Sequence, residues 1–144
     1  LEVNFYLHAK FQEYADTFKS ISKRIHLISF GEVAVNEMLM RCRMLITDYS
    51  SVCWDILYQD KPSLFYQFDI EKYNEAHGSY IDMETELFGD RAATQEQLLD
   101  YLEETVQNDF RLKPEYEKMR GEYLQFKDHE HSRHICEEIK KRFH

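Results

Sequence analysis

Short, unbroken apolar runs alternate with stretches of helical spacing along the first part of this chain, and few folds accept that pattern. The runs VNFYLH (Val3–His8), RIHLIS (Arg24–Ser29), MLITDY (Met44–Tyr49) and SLFY (Ser63–Tyr66) are rich in β-branched and aromatic residues and predict strands. Between them, Val33–Arg43 gathers Val35, Met38, Leu39 and Cys42 on one helical face. Ser50–Tyr58 pairs Val52 with Ile56, and Cys53 with Leu57, one turn apart. MLITDY lacks the in–out alternation of a half-exposed strand, as expected for a strand buried on both faces of a parallel sheet. Strand, helix, strand at this pace predicts βαβ units with right-handed crossovers. The expected fold class is therefore α/β, a Rossmann-like parallel sheet with flanking helices.

The remaining segments fit around that frame. KFQEYADTFKS (residues 10–20) reads as loop with a short helix, and Gly31 marks a turn. Lys61-Pro62 breaks the helix before SLFY, and residues 67–93 read as turns and a long loop with Gly78 and Gly89. Thr94 is placed to cap the helix TQEQLLDYLEETVQ, Pro114 to open another reaching about Phe126, and Glu130–Phe143 to form a last amphipathic helix.

A chain of 144 residues is sized for one domain with its own core. With 43% hydrophobic and 31% charged residues, a soluble globular protein is expected. No apolar run approaches the roughly 20 residues of a spanning helix. The start LEVNFYLHAK has no basic region and no cleavage site of a signal peptide. It also lacks Met and opens almost directly into a strand pattern, so the expectation is a part of something longer. The net charge of −9, concentrated in the second half, argues against nucleic acid as a partner. An anionic ligand would need a local pocket of dipoles and cations. Cys42, Cys53 and Cys136 lie far apart and read as reduced thiols of a cytoplasmic protein.

Two positions stand where chemistry is expected. Asp48, Ser50 and Ser51 lie where a strand passes into a helix, the edge at which open parallel sheets bind ligands. Unpaired N–H groups and two hydroxyls there suit a phosphate; simple capping by Asp48 or Ser50 is the plainer alternative. His8 ends the first strand, so it is expected at the same carboxyl edge, where an imidazole can act as a base near neutral pH. A purely structural histidine remains the alternative. The tail DHEHSRHIC (Asp128–Cys136) lacks zinc-ligand spacing, so no metal is expected. Asp128 and Ser132 are candidates for a second phosphate contact at a helix start, with capping the competing role. The aromatics Phe65, Tyr66, Phe68, Tyr73 and Tyr80 read mostly as core or loop anchors, with stacking of one of them on a base as the alternative.

The ordered series Thr47-Asp48-Tyr49-Ser50-Ser51, Asp55, Lys61-Pro62, Leu64-Phe65 and Asp69 with Tyr73 resembles the CDP-glycerol:poly(glycerophosphate) glycerophosphotransferases, the teichoic-acid polymerases and their capsule-forming relatives. The strand FYLHAKF is similar to that family's strand ending in a catalytic histidine, which falls on His8. The resemblance implies residues 1–144 as a single C-terminal nucleotide-binding domain, one half of a GT-B glycosyltransferase architecture, whose N-terminal partner domain is elsewhere in the same protein. It implies a CDP-glycerol or CDP-ribitol donor, a lipid-linked or polymer acceptor, release of CMP, no cofactor, and peripheral attachment to the inner face of the membrane through the full-length protein. Asp48, Ser50 and Ser51 would lie at the donor phosphates, with His8 as base or as stabiliser of developing charge. The family's Leu-Arg-Gly-Phe-Tyr is here Ala76-His77-Gly78-Ser79-Tyr80, so His77 is the candidate to stand in for the missing arginine near the donor phosphates. Its Leu-Pro-Gly-Pro survives only as ELFGD. Its Asp-Gly-x-Ala-Ser is here Asp128-His129-Glu130-His131-Ser132. The alternatives are a nucleotide-sugar glycosyltransferase of the same fold and a phosphate-binding domain without turnover.

Overall fold

The computed structural model describes residues 1–18, 22–126 and 128–143. The chain divides into two compact units, Leu1–Cys42 and Arg43–His144.

In the first unit, β1 (Val3–Tyr6) and β2 (Ile25–Ile28) pair in parallel, with Val3 opposite Ile25 and Tyr6 opposite Ile28. They are joined through a 3-10 helix (Ala9–Thr17) where loop and a short helix are expected; the last residues of that expectation, 19 and 20, lie outside the described residues. Helix α1 (Val35–Arg41) buries Leu39 and is shorter than its apolar spacing predicts. It stops at Cys42, which takes extended backbone and returns its N–H to the Met38 carbonyl.

In the second unit, β3 (Leu45–Thr47), β4 (Ser63–Tyr66) and β5 (Asp90–Ala92) form a parallel sheet in the order β3-β4-β5. Leu45 lies opposite Ser63, and Leu64 opposite Asp90. Helix α2 (Cys53–Tyr58) links β3 to β4, and α3 (Ile70–Ala76) follows β4. After β5 come α4 (Gln95–Gln107), α5 (Pro114–Tyr123) and α6 (His131–Phe143). The middle strand is the buried one: Ser63, Leu64 and Phe65 have 2% or less of their surface exposed. Ile56 and Leu57 of α2, Phe88 and Ala92 complete the tightest part of the core, each buried aliphatic or aromatic side chain contributing about 1.5–3 kcal/mol. The expected Rossmann-like α/β class is what the strands and flanking helices form.

Two elements arise where only turns and loop are expected. Helix α3 buries none of its residues fully, so it carries no apolar stripe to announce it. Strand β5 reads Asp-Arg-Ala; its Asp90 is kept inside by Lys113 Nζ at 2.9 Å and by the Tyr116 hydroxyl, also at 2.9 Å. Helix α2 begins at Cys53 rather than Ser50, because the Cys53 and Trp54 N–H groups bond the Ser50 and Ser51 carbonyls in a preceding turn. The Thr94 cap forms as a reciprocal box: Thr94 Oγ1 accepts from the Gln97 N–H, and Gln97 Oε1 accepts from the Thr94 N–H, both at 3.2 Å.

Candidate functional site

Strand β3 ends at Thr47, and the next four residues form a loop at the carboxyl end of the sheet. The loop is held from three sides by the segment that follows β4. Gln67, fully buried, donates from Nε2 to the Asp48 carbonyl at 3.0 Å. The Tyr49 hydroxyl donates to Asp69 Oδ1 at 2.8 Å. The Tyr49 ring stacks on Tyr73 with centroids 3.6 Å apart and planes 6° from parallel, and Tyr73 in turn stacks on His77 at 5.1 Å. Burial, then the bond to Asp69, raises the Tyr49 hydroxyl well above the usual phenol range, so it stays a protonated donor. These contacts tie Asp69 and Tyr73 to Tyr49, and Tyr49 in turn fixes its neighbours.

Those neighbours are left open. Asp48 is exposed, and its Oδ1 accepts the Tyr49 N–H at 2.6 Å. Ser50 is half-buried and Ser51 exposed; among the described residues neither hydroxyl has a hydrogen-bond partner. Asp48, Ser50 and Ser51 line a cavity of about 230 Å³ together with Ser79 and Tyr80 from the loop after α3. Its apolar lining includes Cys53, Trp54, Phe65, Ile81, Met83 and Leu87. Burial pushes the Cys53 thiol up to about 11, so it is a neutral wall rather than a nucleophile at physiological pH. Because α2 is only six residues long and starts after the serines, its dipole is a lesser feature here than the two free hydroxyls.

The other candidate residues lie elsewhere. His77 ends α3 and is exposed; its ring is stacked on Tyr73, and it is Gly78, at φ +68°, and Ser79 that reach the cavity lining. Asp128 accepts from His134 Nε2 at 2.8 Å and from the Glu130 N–H at 3.1 Å. The His134 contact, followed by the backbone bond, holds its carboxyl below the usual range. Asp128 therefore braces the approach to α6, which starts three residues later. Ser132 lies exposed in the first turn of α6, and neither residue lines the cavity. The histidine cluster is tied to a phenol: Tyr58 Oη lies 3.0 Å from both His129 Nδ1 and His131 Nε2. Among the described residues, no three His, Cys, Asp or Glu are grouped to hold a metal.

His8 belongs to the first unit and stands two residues past the end of β1. It caps the 3-10 helix, with Nδ1 accepting the Lys10 N–H at 3.2 Å. Its ring is exposed, and Nε2 has no hydrogen-bond partner among the described residues.

Sequence reasoning missed Gln67 and Trp54. A glutamine after SLFY carries no sign that it is fully buried, and a lone tryptophan in a helix reads as core.

Comparison with known proteins adds family evidence. A family model described as CDP-Glycerol:Poly(glycerophosphate) glycerophosphotransferase matches residues 2–141. A teichoic acid poly(ribitol-phosphate) polymerase of Bacillus spizizenii is 33% identical over 96 residues, which is 67% of this chain and 14% of that protein. A teichoic acid glycerol-phosphate transferase of Staphylococcus aureus is 31% identical over 112 residues, 74% of this chain and 28% of that protein. A teichoic acid poly(glycerol phosphate) polymerase of Bacillus subtilis is 35% identical over 79 residues, 54% of this chain and 11% of that protein. The chain thus spans well under a third of each of these relatives.

Proposed function

Because this chain belongs to the CDP-Glycerol:Poly(glycerophosphate) glycerophosphotransferase family, we propose that it is the donor-binding half of a transferase that moves a polyol phosphate onto a cell-surface polymer. The donor is CDP-glycerol or CDP-ribitol, and the acceptor is a hydroxyl of a growing polymer or lipid-linked chain. In the reaction the acceptor oxygen attacks the phosphorus that carries the polyol. The bond from that phosphorus to the bridging oxygen breaks, and CMP leaves with the electron pair. The acceptor proton passes to a base, for which His8 is the candidate. Little covalent chemistry falls to the protein in such a transfer, so positioning and hydrogen bonding to the phosphoryl oxygens supply most of the rate. An N-terminal domain of the same protein completes a GT-B arrangement, and the full-length enzyme works at the cytoplasmic face of the membrane. No described helix is long and apolar enough to cross a membrane; in this reading the full-length enzyme attaches peripherally.

One observation carries the reading: in a chain of this family, Ser50 and Ser51, whose hydroxyls have no partner among the described residues, line a cavity at the carboxyl end of the sheet. The test is a titration with CDP-glycerol, CDP-ribitol, and UDP- and GDP-sugars. A CDP-polyol is expected to bind most tightly; tighter binding of a UDP-sugar would overturn the donor assignment. For His8, the full-length protein carrying His8→Ala is expected to lose at least about 100-fold in kcat. An unchanged rate would remove His8 from the chemistry.

A further inference from the structure

Charge around the cavity separates the roles of its polar groups. Among the described residues lining it, Asp48 is the single charged side chain. No lysine, arginine or histidine offsets it there, and it makes no ion pair among the described residues. Its Oδ1 is engaged by the Tyr49 N–H, whereas Oδ2 has no partner among the described residues. An ionised carboxylate offers only acceptors. A phosphate oxygen placed against it brings acceptor to acceptor and like charge to like charge. Hydroxyl groups are the complementary ligand, and two adjacent hydroxyls can share one carboxylate. At about 230 Å³ the cavity also falls below the roughly 300–1,000 Å³ of sites that hold a whole ligand, so it suits one portion of a donor.

We infer that Asp48 binds a vicinal diol of the donor, leaving its phosphates to the Ser50 and Ser51 hydroxyls. The assignment rests on the proposed CDP-polyol function and gives the site a substrate-reading residue. A vicinal diol occurs in the ribose of the nucleotide and again in the polyol. The chemistry at Asp48 is the same for both, and the experiment distinguishes them.

The chain and its Asp48→Asn variant are titrated with four compounds: CDP, 2′,3′-dideoxy-CDP, CDP-glycerol and CDP-propanol. Binding is followed by calorimetry and by the fluorescence of Trp54, the one tryptophan of the chain, which lines the cavity. Asparagine keeps an acceptor for the Tyr49 N–H, and Asp48 is exposed, so unchanged circular dichroism and melting temperature are expected for the variant. Wild type is expected to lose about tenfold or more in affinity when the recognised diol is removed, as for a hydrogen bond to a charged group. Asp48→Asn is expected to lose a similar factor for the diol compound and to bind the diol-free analogue as wild type does. The CDP pair responding identifies ribose; only the CDP-glycerol pair responding identifies the polyol. If Asp48→Asn binds all four compounds more tightly, the carboxylate faces phosphate and the inference is wrong. If wild type binds diol and diol-free compounds equally well, the inference fails while the donor reading stands. If wild type binds none of the four, both fall.

Discussion

At Gly89 the backbone packs against strand β4 with no room for a side chain. A Cβ built there would lie 2.1 Å from the Ser63 carbonyl oxygen and 2.9 Å from the Phe65 ring. The carbonyl belongs to the buried strand β4 and cannot step aside without breaking register. Gly89→Ala is therefore expected to cost about 3 kcal/mol or more, read as a lower denaturant midpoint with unchanged slope. Cys53 gives a pH signature at the same scale. Its ordinary value of 9.0 is raised by burial to about 11. Below pH 9 the thiol is protonated whether the chain is folded or not, and stability is indifferent to it. As pH rises from about 9 toward 11, only the unfolded chain releases that proton, so stability falls. Cys53→Ala is expected to flatten that alkaline limb in denaturation curves; an equally steep limb would assign it to other groups.

Helix α2 shows how one element is finished by another. Arg120 of α5 donates from Nε to the Leu57 carbonyl at 2.7 Å and from Nη2 to the Tyr58 carbonyl at 3.0 Å, with Asp60 at 3.5 Å. A guanidinium there satisfies the last carbonyls of a short helix and meets the negative end of its dipole. Arg120→Ala is expected to cost about 1.5–3 kcal/mol, measured by chemical denaturation, with Arg120→Lys recovering only part of it. Apolar patterning made β1 to β4, α1 and α2 visible in the sequence, and cap chemistry made α4 visible through Thr94 and α5 through Pro114. It could not show β5, whose half-buried Asp90 is held by a lysine and a tyrosine more than 20 positions away. Nor could it show α3, whose link to the rest runs through the Tyr73–Tyr49 stack rather than an apolar stripe. Within the candidate site, Asp48, Ser50 and Ser51 stand out in the sequence because they lie at a strand-to-helix passage, and the structure places all three on one cavity. The support Gln67 does not stand out, and the role of Asp69 as acceptor for the Tyr49 hydroxyl is not legible, since both partners are set by the tertiary fold.

Over the whole molecule, a net charge of −9 offers no general attraction to an anionic ligand, so affinity for the proposed donor would rest on short-range hydrogen-bond donors. In the proposed function the Ser50 and Ser51 hydroxyls are such donors, on a loop braced by Gln67, Asp69 and Tyr73. The most direct test compares wild type with the Ser50→Ala/Ser51→Ala double variant by calorimetric titration with CDP-glycerol at fixed ionic strength. The account predicts binding by wild type and a loss of about tenfold or more in the variant, with the melting temperature unchanged. Equal affinity in the two proteins would contradict it.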